Sequence, residues 1–210
     1  MADTKISALT AATTAADANE FAINEAGTSK KLTALQLSAY IGQSLRNAST
    51  ADQTISATTA YVTNSNLTVP TGKLRIGTVL RWRLSVTKTA AGSTAGCAIL
   101  VKLGTAGSNA DTTILTFTFG TPTAAVDTAI FDVEVVVRGP LTGSGILAGF
   151  ARMTHNLAIT GFSTLAVEAL SVVSGSVDVT VAALIAGLSI TTTTSSAWTI
   201  KTVSAEVSYL

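Results

Sequence analysis

A single histidine, His155, limits the catalysis open to this chain, because a Ser-His-Asp triad or a histidine metal site would have to be built around it. Thr154 before it and Asn156 after it suit a strand end, and they favour a satisfied structural or surface histidine over a catalytic one. Asp127, Asp132 and Glu134 could supply the carboxylate pair with which glycosidases work. Asp132 and Glu134 alternate with Phe131, Val133 and Val135, however, so both belong to the solvent face of a strand. Arg81 and Arg83 alternate in the same way with Leu80, Trp82, Leu84 and Val86. That pattern predicts ion pairs with Asp132 and Glu134 on a neighbouring strand or subunit, in preference to a sugar or phosphate site. Trp82 belongs to the core by the same alternation. Trp198 follows a polar run and is expected at an interface or as an exposed ligand platform, the way carbohydrate-binding surfaces use tryptophan. Cys97 is the only cysteine, which excludes an internal disulfide and predicts a small buried apolar side chain. The glycine-rich Gly104 to Gly107 lacks the lysine and following helix of a phosphate loop and reads as a turn. No catalytic residue, metal site or cofactor is expected.

The elements that must carry these residues are strands. Period-two alternation recurs in Leu80 to Val86, in Leu115, Phe117 and Phe119, in Phe131 to Val137, and in Val203, Ala205, Val207 and Tyr209. Less regular apolar stretches at Ile99 to Leu103, Ile146 to Met153, Val167 to Val173 and Val177 to Ile190 also read as strands. Turn signals separate them at Gly92, Gly104 to Gly107, Thr121-Pro122, Gly139-Pro140, Gly143 to Gly145 and Gly161. About eight to ten short antiparallel strands predict a β-sandwich, with a jelly roll the topology that suits the count.

Residues 1–45 read differently. Phe21 and Ile23 alternate as on a strand, and Asn24 to Ser29 offers a turn before Lys30, Lys31 and Leu32, which predicts a hairpin. Thr33 with Gln36 three residues on forms a capping box, and Leu37, Tyr40, Ile41 and Leu45 then make one apolar stripe, which predicts a short helix. A unit this small buries too little surface to stand alone and needs something to dock against. The polar stretch 46–53 reads as a linker, and 54–210 as the sandwich domain.

Charged residues make up 12% of the chain, about half the share usual in a soluble domain, and hydrophobic ones 47%. So little charge suits a protein that hides surface in an assembly, and homo-oligomerisation as a trimer is expected. Mean hydropathy is +0.48, but the long uncharged stretch Val179 to Ile200 contains a Thr/Ser block that an apolar membrane helix cannot hold, so two strands and a turn are expected there, with no membrane insertion. A net charge of +1 gives no reason to expect a nucleic-acid partner. No signal peptide opens the chain, so export by that route is not expected.

The segment KISALTAATTAADANEFAINEAGTSKKLTALQLSAYIG resembles the N-terminal segment of many tailed-bacteriophage virion proteins, notably tail-fibre, spike and head-fibre components. The likeness rests on Lys5 to Leu9, Asp17, Glu20-Phe21, Gly27-Thr28, Lys30-Lys31, Thr33 and Tyr40. A weaker likeness to Thr- and Ala-rich β domains of phage proteins covers Thr78 to Gly92, Val137 to Pro140 and Thr154 to Phe162. The resemblance implies a structural virion protein, of fibre or capsid-decoration type, made in the cytoplasm of a bacterial host. Residues 1–45 would attach it to another virion protein of the capsid or tail. Ile6, Leu9, Phe21, Ile23, Leu37, Tyr40 and Ile41 are the expected anchor residues. The alternative is a receptor module for host surface glycans with Trp198 in its site. A depolymerase is disfavoured, since no second acidic cluster supports it.

Overall fold

A computed structural model describes residues 20–25, 28–33, 45–69, 74–89, 97–139, 145–178, 184–192 and 197–208. The chain divides into two compact units, Met1–Gln43 and Ser44–Leu210. In the first, β1 (Glu20–Glu25) and β2 (Thr28–Thr33) pair antiparallel, with Phe21 opposite Leu32 and Ile23 opposite Lys30. The expected hairpin is present but tighter than the sequence suggests, because Asn24 and Glu25 pair with Ser29 and Thr28 and so belong to the strands. Ile6, Leu9, Leu37, Tyr40 and Ile41, and the helix expected after Thr33, lie outside the described residues.

The second unit is a two-layer sandwich of β3 (Leu45–Ser49), β4 (Gln53–Ser56), β5 (Thr59–Tyr61), β6 (Leu67–Val69), β7 (Val79–Lys88), β8 (Ala98–Gly104), β9 (Thr112–Thr118), β10 (Asp127–Val137), β11 (Leu147–His155), β12 (Val167–Val173), β13 (Leu184–Thr191) and β14 (Ala197–Ser208). The large sheet runs β12-β11-β10-β7-β14, with β3 and β4 in succession along the far edge of β14. The small sheet runs β9-β8-β13, with β5 and β6 in succession along the far edge of β13. Thus β4-β14-β7-β10 faces β5/β6-β13-β8-β9, the jelly-roll arrangement, and the β11–β12 hairpin extends the large sheet beyond β10.

Alternation builds the core. Leu80, Trp82, Leu84 and Val86 of β7 and Phe131, Val133, Val135 and Val137 of β10 are all buried, while the residues between them on β7 from Arg81 to Thr87 and on β10 from Asp132 to Val136 face outward. Each such side chain contributes about 1.5–3 kcal/mol on burial. On β14 the phase changes from Trp198 and Ile200 to Val203, Ala205 and Val207, because a bulge lies between Ile200 and Thr202 and turns both Lys201 and Thr202 to solvent. Gly149 marks where β11 comes close to β9, since a Cβ there would stand 2.5 Å from Leu115 Cδ1.

Two expectations need correction. Residues 46–53 are not a linker throughout, since Leu45–Ser49 is strand β3, paired with β14. Pairing through the backbone at a sheet edge does not require apolar side chains; Arg46 instead reaches Glu206, and Asn47 donates to Asn66. The stretch Val177 to Ile190 is not one strand, because β13 begins at Leu184 and Val177 makes only an isolated bridge to Gly145. Between Val179 and Ile200 the described residues form β13 and the start of β14, the two strands expected.

Candidate functional site

Strand registers put the ends of several elements together. Asp127 at the start of β10 is opposite Lys88 at the end of β7, which is opposite Trp198 near the start of β14, and Ala129 is opposite His155 at the end of β11. At this end of the sandwich a polar cluster lies inside the core. The His155 Nδ1–Asp127 Oδ2 distance is 2.6 Å, and His155 Nε2 lies 2.6 Å from the Leu165 carbonyl, with both side chains fully buried. Each ring nitrogen thus faces an oxygen, so the imidazole is engaged on both sides. Asp127 also accepts from the backbone N–H of Thr128 at 2.8 Å and of Phe162 at 3.2 Å. Lys88 donates to the carbonyls of Thr123 at 2.5 Å and Ala125 at 3.0 Å. Burial pushes the Lys88 ammonium below its ordinary value, and nearby Cys97 and Asp127 oppose the shift.

These bonds stitch two loops to the strands and to each other. Thr123 donates its N–H to Gly161 O at 2.8 Å, and Gly161 donates back to Thr123 Oγ1 at 2.6 Å. Gly161 has φ of 92°, and any Cβ there would run into the Asp127 carboxylate, so the position requires glycine. Ser163 donates to Glu168, whose other oxygen accepts from Gly120 N at 2.8 Å. Loops 119–126 and 156–166 are thereby fixed, with Val126, Ile159 and Leu165 exposed on them. Loops are where function concentrates when a rigid scaffold positions them.

The sequence-predicted residues sort clearly. Arg81 Nε donates to Glu134 at 2.7 Å and Arg83 Nε lies 3.4 Å from Asp132, the expected cross-strand pairs. Glu134 holds the Arg81 guanidinium above its ordinary value by hydrogen bond and charge, with a smaller contribution from Glu206. Arg81 also reaches Glu206 at 3.8 Å on the other side. Trp82 is buried as expected, its Nε1 donating to Ser65 O at 2.7 Å. Trp198 is not a surface platform. It is 1% exposed and stacked on Phe131 at 5.3 Å, with Phe162 edge-on at 5.0 Å. The polar run before it is the β13–β14 connection, and Trp198 alternates inward with Ile200, a phase the bulge obscures in the sequence. Cys97 is buried. The partnership of His155 with Asp127 was not legible, because the two are brought together only by the β10–β11 register.

No family model matches the chain, and no curated protein matches it. Among solved structures it is similar to the binding domain of botulinum neurotoxin DC in complex with SialylT, at 5% identity and a TM-score of 0.28, covering 90% of this chain and 47% of that one. It is also similar to the CBM2 module of an evolved Dit of Lactobacillus casei BL23 phage J-1, at 12% identity and a TM-score of 0.23, covering 69% of each chain. The chain spans about half the length of the first of these. Likeness of this degree assigns no function to the chain.

Replacing Asp127 with Ala leaves the buried imidazole and the Phe162 N–H without their acceptor, and is expected to cost about 1–3 kcal/mol for each group left unsatisfied. Chemical denaturation checks the loss, and hydrogen exchange at loop 156–166 should rise in step; an unchanged midpoint would remove the cluster's role.

Proposed function

We propose that the protein is a structural component of a bacteriophage particle, in which residues 1–45 attach to another virion protein and the jelly roll projects outward as a display domain. The observation that carries this reading is the polarity of the second unit. Its first strand begins with Leu45 opposite Val207, at the end of the sandwich where β14 finishes and β7 begins. The fixed loops 119–126 and 156–166 stand at the opposite end, where β14 begins and β7 finishes. The second unit thus receives the chain at one pole and carries hydrogen-bonded loops at the other, which supports a display role for those loops. The division at Gln43 and the hairpin inside the segment that resembles phage attachment sequences support the same reading.

His155 has both ring nitrogens occupied and a fully buried side chain, while Asp132 and Glu134 are each engaged by an arginine. These arrangements support a structural role over a catalytic one. The glycan-receptor alternative loses the platform it placed at Trp198.

The display domain is proposed to be a trimer. Strand β12 pairs only with β11 among the described residues, and its outward side chains Val167, Ala169, Ser171 and Val173 are exposed and uncharged. Natural sheet edges are ordinarily shielded by charge, proline or a covering element, so an unshielded edge suits a neighbouring subunit.

Removing residues 1–45 is expected to leave a folded β domain that no longer joins particles, as read by circular dichroism and by sedimentation of particles assembled with the truncated chain; undiminished incorporation would refute the attachment role. Light scattering on the full chain should give a mass of three protomers of 21.3 kDa, reduced by Ala169→Lys on the open edge, and a monomer at all concentrations would exclude the trimer.

A further inference from the structure

We propose that the outer face of the large sheet is a binding site for a neutral, hydroxyl-rich glycan, centred on Phe150 and the Arg81–Glu134 pair. This goes beyond particle attachment and does not rest on it. The face carries a half-open concavity of about 400 Å³ lined by Arg81, Arg83, Asp132, Glu134, Phe150 and Glu206. Phe150 is 43% exposed, whereas Phe117, Phe119, Phe131, Phe162, Trp82 and Trp198 are all buried, so it is the exposed aromatic among residues whose burial is described. An uncovered ring forfeits its burial energy in water, and a sugar presents an apolar face able to cover it.

The floor beside the ring has a regular pattern. In register across the strands, Phe150 is followed by Glu134, Arg81, Glu206 and Arg46, and the next row reads Arg152, Asp132, Arg83 and Ser204. Acceptor and donor therefore alternate from strand to strand, at a spacing of about 4.8 Å. Side-chain exposures of 49% for Arg81, 41% for Glu134, 65% for Arg83 and 51% for Asp132 leave these groups open to a ligand. A carboxylate offers about four lone-pair sites and a guanidinium five donors, so the mutual ion pairs leave bonding capacity unused. They also hold both partners in place, which lowers the ordering cost of binding.

The charge pattern selects the ligand. Each carboxylate has an arginine on at least one side and each of Arg81 and Arg83 a carboxylate, so an acidic sugar would meet Asp132, Glu134 and Glu206, and a cationic one would meet Arg46, Arg81 and Arg83. A hydroxyl both donates and accepts, and matches an array of alternating sign without leaving either kind of charge unpaired.

The test applies full-length protein to a printed array of neutral and acidic glycans, then titrates the best-bound neutral oligosaccharide into wild type, Phe150→Ala and Glu134→Gln. The expected result is selective capture of neutral glycans, with affinity falling about tenfold or more in each variant. Binding should also persist on raising NaCl from about 50 to about 500 mM, because the ligand carries no charge to screen. Capture of no neutral glycan, preference for acidic ones, or affinity unchanged in both variants overturns the proposal. Phe150 lies outside the core and Glu134→Gln keeps side-chain volume, and a melting curve for each variant separates lost binding from lost fold. Incorporation into particles is measured separately, so failure here leaves the attachment reading standing.

Discussion

The fold depends on one constraint: β7, β10 and β14 must keep one face apolar along their length while staying in register with each other. They are neighbours in the large sheet, and their inward side chains meet β8, β9 and β13 across the core. A slip of one residue in any of them would turn its apolar set to solvent and its charged set inward. The alternating row of Arg46, Glu206, Arg81 and Glu134 reinforces the register from outside, since a one-residue shift would separate each charge from its partner. Exposed pairs of this kind contribute little stability individually, about 0–1 kcal/mol, so their effect is better understood as alignment.

Against that apolar core, the polar cluster at the loop end is an exception with a local purpose. Lys88, Asp127 and His155 are buried where a hydrophobic side chain would pack with less desolvation. What they obtain in exchange is loop geometry, because their partners are backbone groups of Thr123, Ala125, Phe162 and Leu165. The aromatic group of Phe119, Phe131, Phe162 and Trp198 packs at the same end and ties Phe162, a loop residue, to both β10 and β14. Loops held this way are suited to presenting a fixed surface.

Long strands were legible in the sequence because period-two alternation is a property of the strand itself. β12 matches its expected limits, β7, β8 and β11 differ from theirs by a residue or two, and β10 begins earlier than expected, at Asp127 instead of Phe131. The short strands β3 to β6 were not legible, since three to five residues at a sheet edge owe their conformation to the neighbour they pair with. The pairing of Arg81 and Arg83 with Glu134 and Asp132 followed from facing alone. Trp198 was misplaced because the bulge at Lys201 breaks the phase linking it to Val203, and Phe150 was passed over because its flanking Gly149 and Ala151 resemble those of a core residue. The hydrogen bonds between loops 119–126 and 156–166 depend on tertiary position, which no local pattern encodes.

The proposed orientation puts the loop end of the jelly roll outward and the chain-entry end toward the particle. It is tested most directly by placing a cysteine at Ala158, exposed on the loop end, or at Ile76, exposed at the other, and labelling intact particles with a membrane-impermeant maleimide. Native Cys97 is buried and serves as the background. Rapid labelling of Ala158→Cys and protection of Ile76→Cys are expected on particles, with both labelled in the free protein. Protection of Ala158→Cys with labelling of Ile76→Cys would contradict it.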